Sequence, residues 1–269
     1  MEITVPFAAR VVEAVRSVAA AEILPRYRSV VAERKDDGSL VTEADHAAQA
    51  ALILRLGAIE PAGVIGEEMS PAEQRSVFEG CGRCWCVDPL DGTRNFSEGV
   101  PFFAVSVALL EEGRPVLGVV HDPIADEVYY AVRGAGAWLG HRPLVVPPDP
   151  PPLSRSLAEV SLRRSEARTL RGALKRHPPY ARRITSGSST LSWCHLAAAR
   201  IDVLLHSGQM MWDYAAGALI LEEAGGAAST LDHDDFWEAP PWERSAVAAR
   251  GAALLGEWRS WVRARAREA

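Results

Sequence analysis

The stretch Cys84-Trp-Cys-Val-Asp88-Pro-Leu-Asp91-Gly-Thr-Arg-Asn-Phe96 decides how the rest of the chain is read. It opens on an apolar run, Cys84 to Val87, with the pattern of a short buried strand. Acids, a proline, a glycine and a hydroxyl residue follow. A strand ending in such a turn can place Asp88 and Asp91 on one side, and carboxylate oxygens in that arrangement suit a hard cation such as Mg²⁺. Pro89 stiffens the turn, Gly92 lets the backbone approach a bound group, and Thr93 adds a hydroxyl beside the acids. A bare Asp-x-x-Asp is usually a solvated turn. The nine residues Asp88 to Phe96 together are far more specific.

Upstream, Gly63 to Gly66 reads as another short strand, ending in Glu67-Glu68, which alone would be an exposed acidic loop. Val5 to Tyr27 has helical periodicity through Val11, Val12, Val15, Val18 and Ile23, and Pro25 should bend or end it. Lys35 to Ser39 is a loop by its turn residues. Thr42 then caps a helix running to about Leu56, with Asp45 in its first turn, where the helix dipole favours a carboxylate.

Downstream, Phe103–Leu110 and Pro115–His121 form a hairpin around Glu111–Arg114, and Val128–Val132 continues the strand-rich part. Pro147 to Leu153 is the sharpest break in composition, so residues 147–152 read as a proline-rich crossover between an N-terminal half, 1–146, and a C-terminal half, 153–269. The second half alternates strands (158–162, 183–186, 202–206, 245–249) with helices (166–175, 189–200, 213–224, 252–265). That is an α/β pattern of layered helices and sheets. Asp213, in Trp212-Asp-Tyr-Ala-Ala-Gly217, opens one of these helices, and as a single residue it is an N-cap or first-turn acid.

Composition sets the limits. The 269 residues are 48% hydrophobic and 24% charged, ordinary for a folded chain. The net charge is −6, and no basic run stands out before Arg259–Arg267, so direct nucleic-acid or membrane binding is not expected. An anionic substrate stays open, because a bound cation inverts the local field. Cys81, Cys84 and Cys86 suggest zinc, but three ligands fall short of a structural site, and the apolar run favours a buried strand. Met1–Arg10 lacks the design of a signal peptide, and no stretch approaches the ~20 apolar residues of a membrane span. A reducing cytoplasmic location is the expectation.

Five blocks now stand in order: Lys35 with Val41–Asp45, Gly66–Glu68, Asp88–Phe96, Gly187-Ser-Ser189, and Trp212–Gly226. Together they resemble the inositol monophosphatase family of lithium-sensitive, metal-dependent phosphatases, over nearly the whole chain. The resemblance implies a layered αβαβα sandwich of the sugar phosphatase type, usually a homodimer, with the site between the two halves. It implies two or three Mg²⁺ ions held by Glu67, Asp88, Asp91, Asp213 and the Leu90 carbonyl. Asp45 and Thr93 would orient the attacking water, with Glu67 also catalytic and Asp45 helping to hold a further ion. Gly92 and Thr93 would hold phosphate through their amides, and Gly187, Ser188, Ser189 and His206 would complete the substrate contacts.

The chemistry agrees. A phosphomonoester is a dianion that a bare carboxylate site repels; divalent cations reverse the sign, acidify water and neutralise the leaving alkoxide. The expected activity is hydrolysis of a small-metabolite phosphate, of the inositol-1-monophosphatase type, by in-line attack of water without a phosphoenzyme. Rivals within the superfamily are a 3′(2′),5′-bisphosphate nucleotidase, a fructose-1,6-bisphosphatase and a histidinol-phosphatase. Asn95-Phe96 leans to the inositol branch. A different class also stands, because some bacterial relatives partner the transcription and ribosome-biogenesis machinery.

One residue departs from the family pattern. Seven positions before Asp213, inositol monophosphatases commonly carry an acid that contacts polyol hydroxyls; here it is His206. Histidine cannot accept two hydroxyl bonds as a carboxylate can, and it tolerates a negative group better. Two readings stay open: a substrate other than plain inositol phosphate, or a strand-end histidine with no ligand contact. Arg94 likewise either steers an anion or pairs with a nearby acid. If His206 contacts substrate, His206→Glu shifts the ratio of rates on inositol phosphate and on anionic sugar phosphates; an unchanged ratio in a phosphate-release assay removes that reading.

Overall fold

The computed structural model describes residues 3–29, 32–35, 40–162 and 168–266. Asp36–Ser39 of the expected loop, Glu166 of the expected helix and Arg267 of the basic tail lie outside them. Helix α1 (Val5–Val18) is capped by the Thr4 hydroxyl, which accepts the Phe7 amide. It continues through a π-helical turn (Ala19–Ile23) and a 3₁₀ turn (Leu24–Arg26) that ends just past Pro25, as a residue without an amide hydrogen requires. A small antiparallel pair, β1 (Glu33–Arg34) and β2 (Leu40–Val41), leads into α2 (Glu43–Ile59). Thr42 caps α2 as expected, and Asp45 returns a bond to the Thr42 amide.

A seven-stranded sheet follows, in the spatial order β3 (Gly63–Gly66), β4 (Arg83–Asp91), β5 (Ala104–Glu111), β6 (Arg114–Asp122), β7 (Glu127–Val132), β8 (Gly136–Leu139) and β9 (Arg142–Leu144). Only β3 and β4 pair in parallel, because α3 (Pro71–Gly80) carries the chain back between them; the others form meandering hairpins. Helix α3 was not anticipated. Its signal was present: Ser70 and Glu73 form a capping box with Pro71 in the first turn. The short α4 (Thr93–Glu98) also went unread.

After 3₁₀ residues Leu153–Arg155, β10 (Leu157–Ser161), α5 (Arg168–Arg176), β11 (Arg182–Ile184), α6 (Ser189–Ala197), β12 (Val203–Met210), α7 (Met211–Glu223), β13 (Ala227–Ser229), β14 (Glu243–Ala249) and α8 (Ala252–Ala266) build the rest. The second sheet has the order β11-β10-β12-β14-β13, with β11, β10 and β12 parallel.

Side-chain alternation assigns the layers. On β4, Trp85 and Val87 pack against α1 and α2, while Cys84 and Cys86 face the opposite core, shared with α6 and α7. On β12, Leu204 joins that shared core, and Val203 and Leu205 pack with residues of α5 and α8. The result is five layers, helices–sheet–helices–sheet–helices: the αβαβα sandwich. Helix α7 is buried on nearly every side, which its uniformly apolar sequence allows only between two sheets.

The middle layer is tight where glycine permits it. A Cβ on Gly118 of β6 would stand 2.7 Å from the Ala216 carbonyl oxygen and 2.9 Å from its Cα, both backbone atoms of α7. Gly118→Ala should therefore destabilise the fold by about 1–3 kcal/mol, through overpacking. Urea unfolding measures this, and a midpoint equal to the parent's would show that the sheet and helix can separate at no cost.

Candidate active site

One cavity of about 220 Å³ is lined by Leu40, Glu67, Asp88, Leu90, Asp91, Gly92, Thr93, Arg94, Gly187 and Asp213. It gathers Glu67 from the end of β3, Asp88 and Asp91 from β4, and Asp213 from the first turn of α7. Carboxylate oxygens of Asp88, Asp91 and Asp213 lie within 4.8 Å of one another. Among the described residues this is the one such cluster of candidate ligands, and it contains no cysteine. Cys84 and Cys86 are buried strand residues, and burial pushes the Cys84 thiol up to about 12, far from the thiolate that zinc needs.

Strict alternation would send residues three apart to opposite faces of a strand. A bulge solves this. Asp88 pairs with Ser106 and Asp91 with Ala104, so three steps on β4 match two on β5, and both acids turn to one side. Pro89 sits in the bulge, where a ladder donor is not needed. Gly92 follows at φ +91°, and a Cβ there would meet the Phe102 carbonyl oxygen at 3.1 Å. The backbone can turn sharply into α4 only with glycine at this point.

Each acid is held by its own donors. Asp88 accepts the Leu90 amide at 3.0 Å, and Asp213 accepts the Met210 amide at 2.9 Å as the first-turn acid of α7. Asp91 reaches across to the N-terminus of α6. There it accepts the Ser188 hydroxyl, the Ser189 and Thr190 amides and the Thr190 hydroxyl. Asp45, fully buried, stands one residue back: it holds the Thr42 amide and hydroxyl and lies 3.2 Å from the Thr93 hydroxyl. Glu67 pairs with Lys35 at 3.2 Å, and Lys35 reaches Glu68 at 2.7 Å. The Gln74 amide group binds the Gly66 and Met69 carbonyls, fixing the loop that presents Glu67.

These acids disfavour one another's charge. Burial is the largest cause and lifts Asp88 well above the usual carboxylate range; the charges of Glu67, Asp91 and Asp213 add to it. Burial also raises Asp91 against its four hydrogen bonds, and raises Asp45. Glu67 rises to about 7 through burial, with Lys35 opposing and Glu68 and Asp45 adding to the shift. The hard oxygen donors, converging with a single lysine nearby, fit a divalent cation: Glu67, Asp88, Asp91, Asp213 and the Leu90 carbonyl would hold it.

A second cavity of about 140 Å³ adjoins the first at Gly187, and its lining includes Ser188, Ser189, Ser192 and His206 with Glu159 and Gln209. The expected substrate contacts thus divide. Gly92, Thr93 and Gly187 line the acid cavity; Ser189 and His206 line its neighbour. Ser188 is buried, and its hydroxyl faces Asp91 and the Leu191 amide, so it positions an acid. His206 Nδ1 accepts the Gly208 amide beside an irregularity in the pairing of β12 with β14. Arg94 lines the first cavity and lies 4.0 Å from Glu98, so both of its readings have a structural basis. Thr190, Gln74 and Glu159 were missed by the sequence reading, since nothing in sequence marks a polar residue whose partner is a distant loop.

With this geometry described, comparison with known proteins is direct. The model of the inositol monophosphatase family matches residues 3–264, and the chain belongs to that family. Inositol monophosphatase 2 of Solanum lycopersicum is 37% identical over 217 residues, 78% of this chain and 82% of that one. Histidinol-phosphatase of Mycobacterium tuberculosis is 36% identical over 225 residues, 81% and 83% of the two chains. The extragenic suppressor protein suhB of Bartonella henselae superposes with a TM-score of 0.84 at 26% identity, covering 96% of this chain and 98% of that one. Relatives at nearly equal identity carry different substrate names, so identity alone leaves the substrate open.

The raised Glu67 gives a pH test. Its carboxyl titrates at 4.5 when unperturbed and at about 7 in the fold, so the folded chain holds the extra proton between those values. The stabilisation is complete below 4.5 and is lost as pH rises through about 7. In chelator, the melting temperature should fall across that window, and Mg²⁺ should restore it at the alkaline end. A metal-free melting temperature that rises from pH 4.5 to 7 would contradict the acid cluster.

Proposed function

We propose that the chain is a Mg²⁺-dependent phosphomonoesterase acting on a small metabolite, of the inositol-1-monophosphatase type. The observation that carries this is the convergence of Glu67, Asp88, Asp91 and Asp213 on one cavity. Two or three Mg²⁺ ions held there would neutralise the phosphate dianion and the leaving alkoxide, and would make water more acidic.

The chain's own groups do the orienting. Thr93 has one hydroxyl proton and two acceptors, Asp45 at 3.2 Å and the Leu90 carbonyl at 3.0 Å. Were the Leu90 carbonyl to serve as a ligand of a cation, that proton would go to Asp45, and the Thr93 oxygen would be left to accept a hydrogen from the attacking water. The water proton then passes by way of Thr93 towards Asp45, whose burial-raised pKa makes it the better base. Water attacks phosphorus in line and the bond to the ester oxygen breaks; the leaving alkoxide takes a proton from solvent water, and Asp45 returns its proton to solvent, so that the turnover balances. Gly92 and Thr93 amides hold the phosphate oxygens, and Glu67 joins the catalytic set. Lithium sensitivity, a homodimeric state, a cytoplasmic location and a site shared by the halves 1–146 and 153–269 belong to the same proposal.

Asp88→Asn and Asp213→Asn should each lower Mg²⁺-dependent phosphate release by roughly a hundredfold or more, because each weakens charge stabilisation at the reacting group. Their circular dichroism should match the parent's. A screen of polyol, sugar and nucleotide monophosphates, with and without Mg²⁺, reads this out. Full turnover in excess chelator would overturn the proposal.

A further inference from the structure

The acid cavity is the first of three neighbouring spaces that share lining residues. It shares Gly187 with the 140 Å³ cavity, which shares Ser161 and Thr185 with an open groove of about 820 Å³. The groove lies at the edge of the second sheet, between β11 and α5, and its lining includes Lys175, Arg182 and Arg183. All three are exposed, and among the described residues none of them pairs with a carboxylate. The chain is acidic overall, yet this end carries positive charge that no carboxylate among the described residues pairs with, Arg183 having the Tyr180 hydroxyl as a neutral partner, and it lies beside a cavity built from acids.

The middle cavity is polar. Glu159 Oε1 accepts the Ser186 amide and Gln209 Oε1 accepts the Trp193 ring N–H, while Glu159 Oε2 and Gln209 Nε2 have no partner. Both residues are over nine-tenths buried. An unused acceptor and an unused donor suit hydroxyl-bearing or ring-nitrogen chemistry, since leaving such groups unpaired costs free energy. The register also sets a length. Arg183 and Gly187 are four residues apart, so their Cα atoms lie at most about 14 Å from each other. A phosphate in the acid cavity and a second anion at Arg183 are thus within reach of one extended metabolite.

We propose that the groove of Lys175, Arg182 and Arg183 is a distal anion subsite. The preferred substrate would then be an elongated phosphomonoester whose leaving group carries hydroxyls and a remote second phosphate. This rests on the phosphatase reading above and narrows its substrate. A small polyol monophosphate would have no second anion to place in the groove.

The test uses matched pairs that differ only in the remote phosphate: fructose 1,6-bisphosphate against fructose 1-phosphate, and adenosine 3′,5′-bisphosphate against adenosine 3′-monophosphate. The variant is Arg182→Gln/Arg183→Gln in the full Mg²⁺-loaded chain, at exposed positions outside the acid cavity. For at least one pair, the variant should raise KM for the bisphosphate by about tenfold, the scale of losing charge-assisted bonds, with kcat kept and the monophosphate unaffected. Equal effects on both members of each pair, or none, would overturn the subsite. Calorimetric binding of the same bisphosphates reads the groove even without turnover: unaltered binding in the variant counts against it. Failure of every monophosphate and every bisphosphate to release phosphate would instead count against the phosphatase reading.

Discussion

Four carboxylates forced into one buried cavity repel one another, and much of the architecture serves to hold them there. Burying a charge without a partner is expensive, and several like charges together more so. The fold meets this cost locally with directed donors: the Leu90 amide for Asp88, the N-terminus of α6 for Asp91, the first turn of α7 for Asp213 and Lys35 for Glu67. These donors do not offset burial and, after it, the repulsion among the acids, which is why Glu67 and Asp88 stay raised. The stability that tolerates such a site comes from three apolar cores, one on each outer side of the two sheets and one between them.

Geometry then turns a cost into a capacity. A single bulge on β4 aims Asp88 and Asp91 the same way, and α7 threads between the sheets to bring Asp213 to them. A cavity so arranged is poor at holding a phosphate alone and good at holding one with divalent cations. In the proposed reading the same acids that would repel a phosphate ester in their bare state would attract the ions that admit it. Selectivity would in that reading lie further out, where Glu159, His206 and Gln209 line the adjoining cavity and cations line the groove beside β11.

Much of this was legible in the chain. Long periodic or strongly apolar elements such as α1, α2, β5 and β6 follow from patterning; Thr42 opens α2 as expected, while α1 itself ends at Val18 and only the π and 3₁₀ turns that prolong it reach Pro25. The short pieces β8, β9, β13 and α4 were not legible, because three to six residues offer too little periodicity. Strand β12 reads as ending near His206 yet runs to Met210, since its pairing with β14 resumes past the glycine at 208. At the site, residue types pointed to the acids, but Asp45 and Asp213 also satisfy ordinary helix-cap roles, and both do cap. What sequence could not supply is convergence: that Ser188 turns to Asp91, that Gln74 ties down the loop of Glu67, and that three neighbouring cavities share Gly187 and Thr185 in their linings.

The central claim is that Glu67, Asp88 and Asp91, raised by burial, hold protons they would surrender to a divalent cation. Calorimetric titration of Mg²⁺ into the metal-free chain near pH 6.5, repeated in buffers of different ionisation enthalpy, tests it most directly, because a cation that displaces protons gives a buffer-dependent heat. Saturable binding with proton release, lost in Asp88→Asn, is the predicted result. Heat that is the same in every buffer, or no saturable binding at millimolar Mg²⁺, would contradict the account.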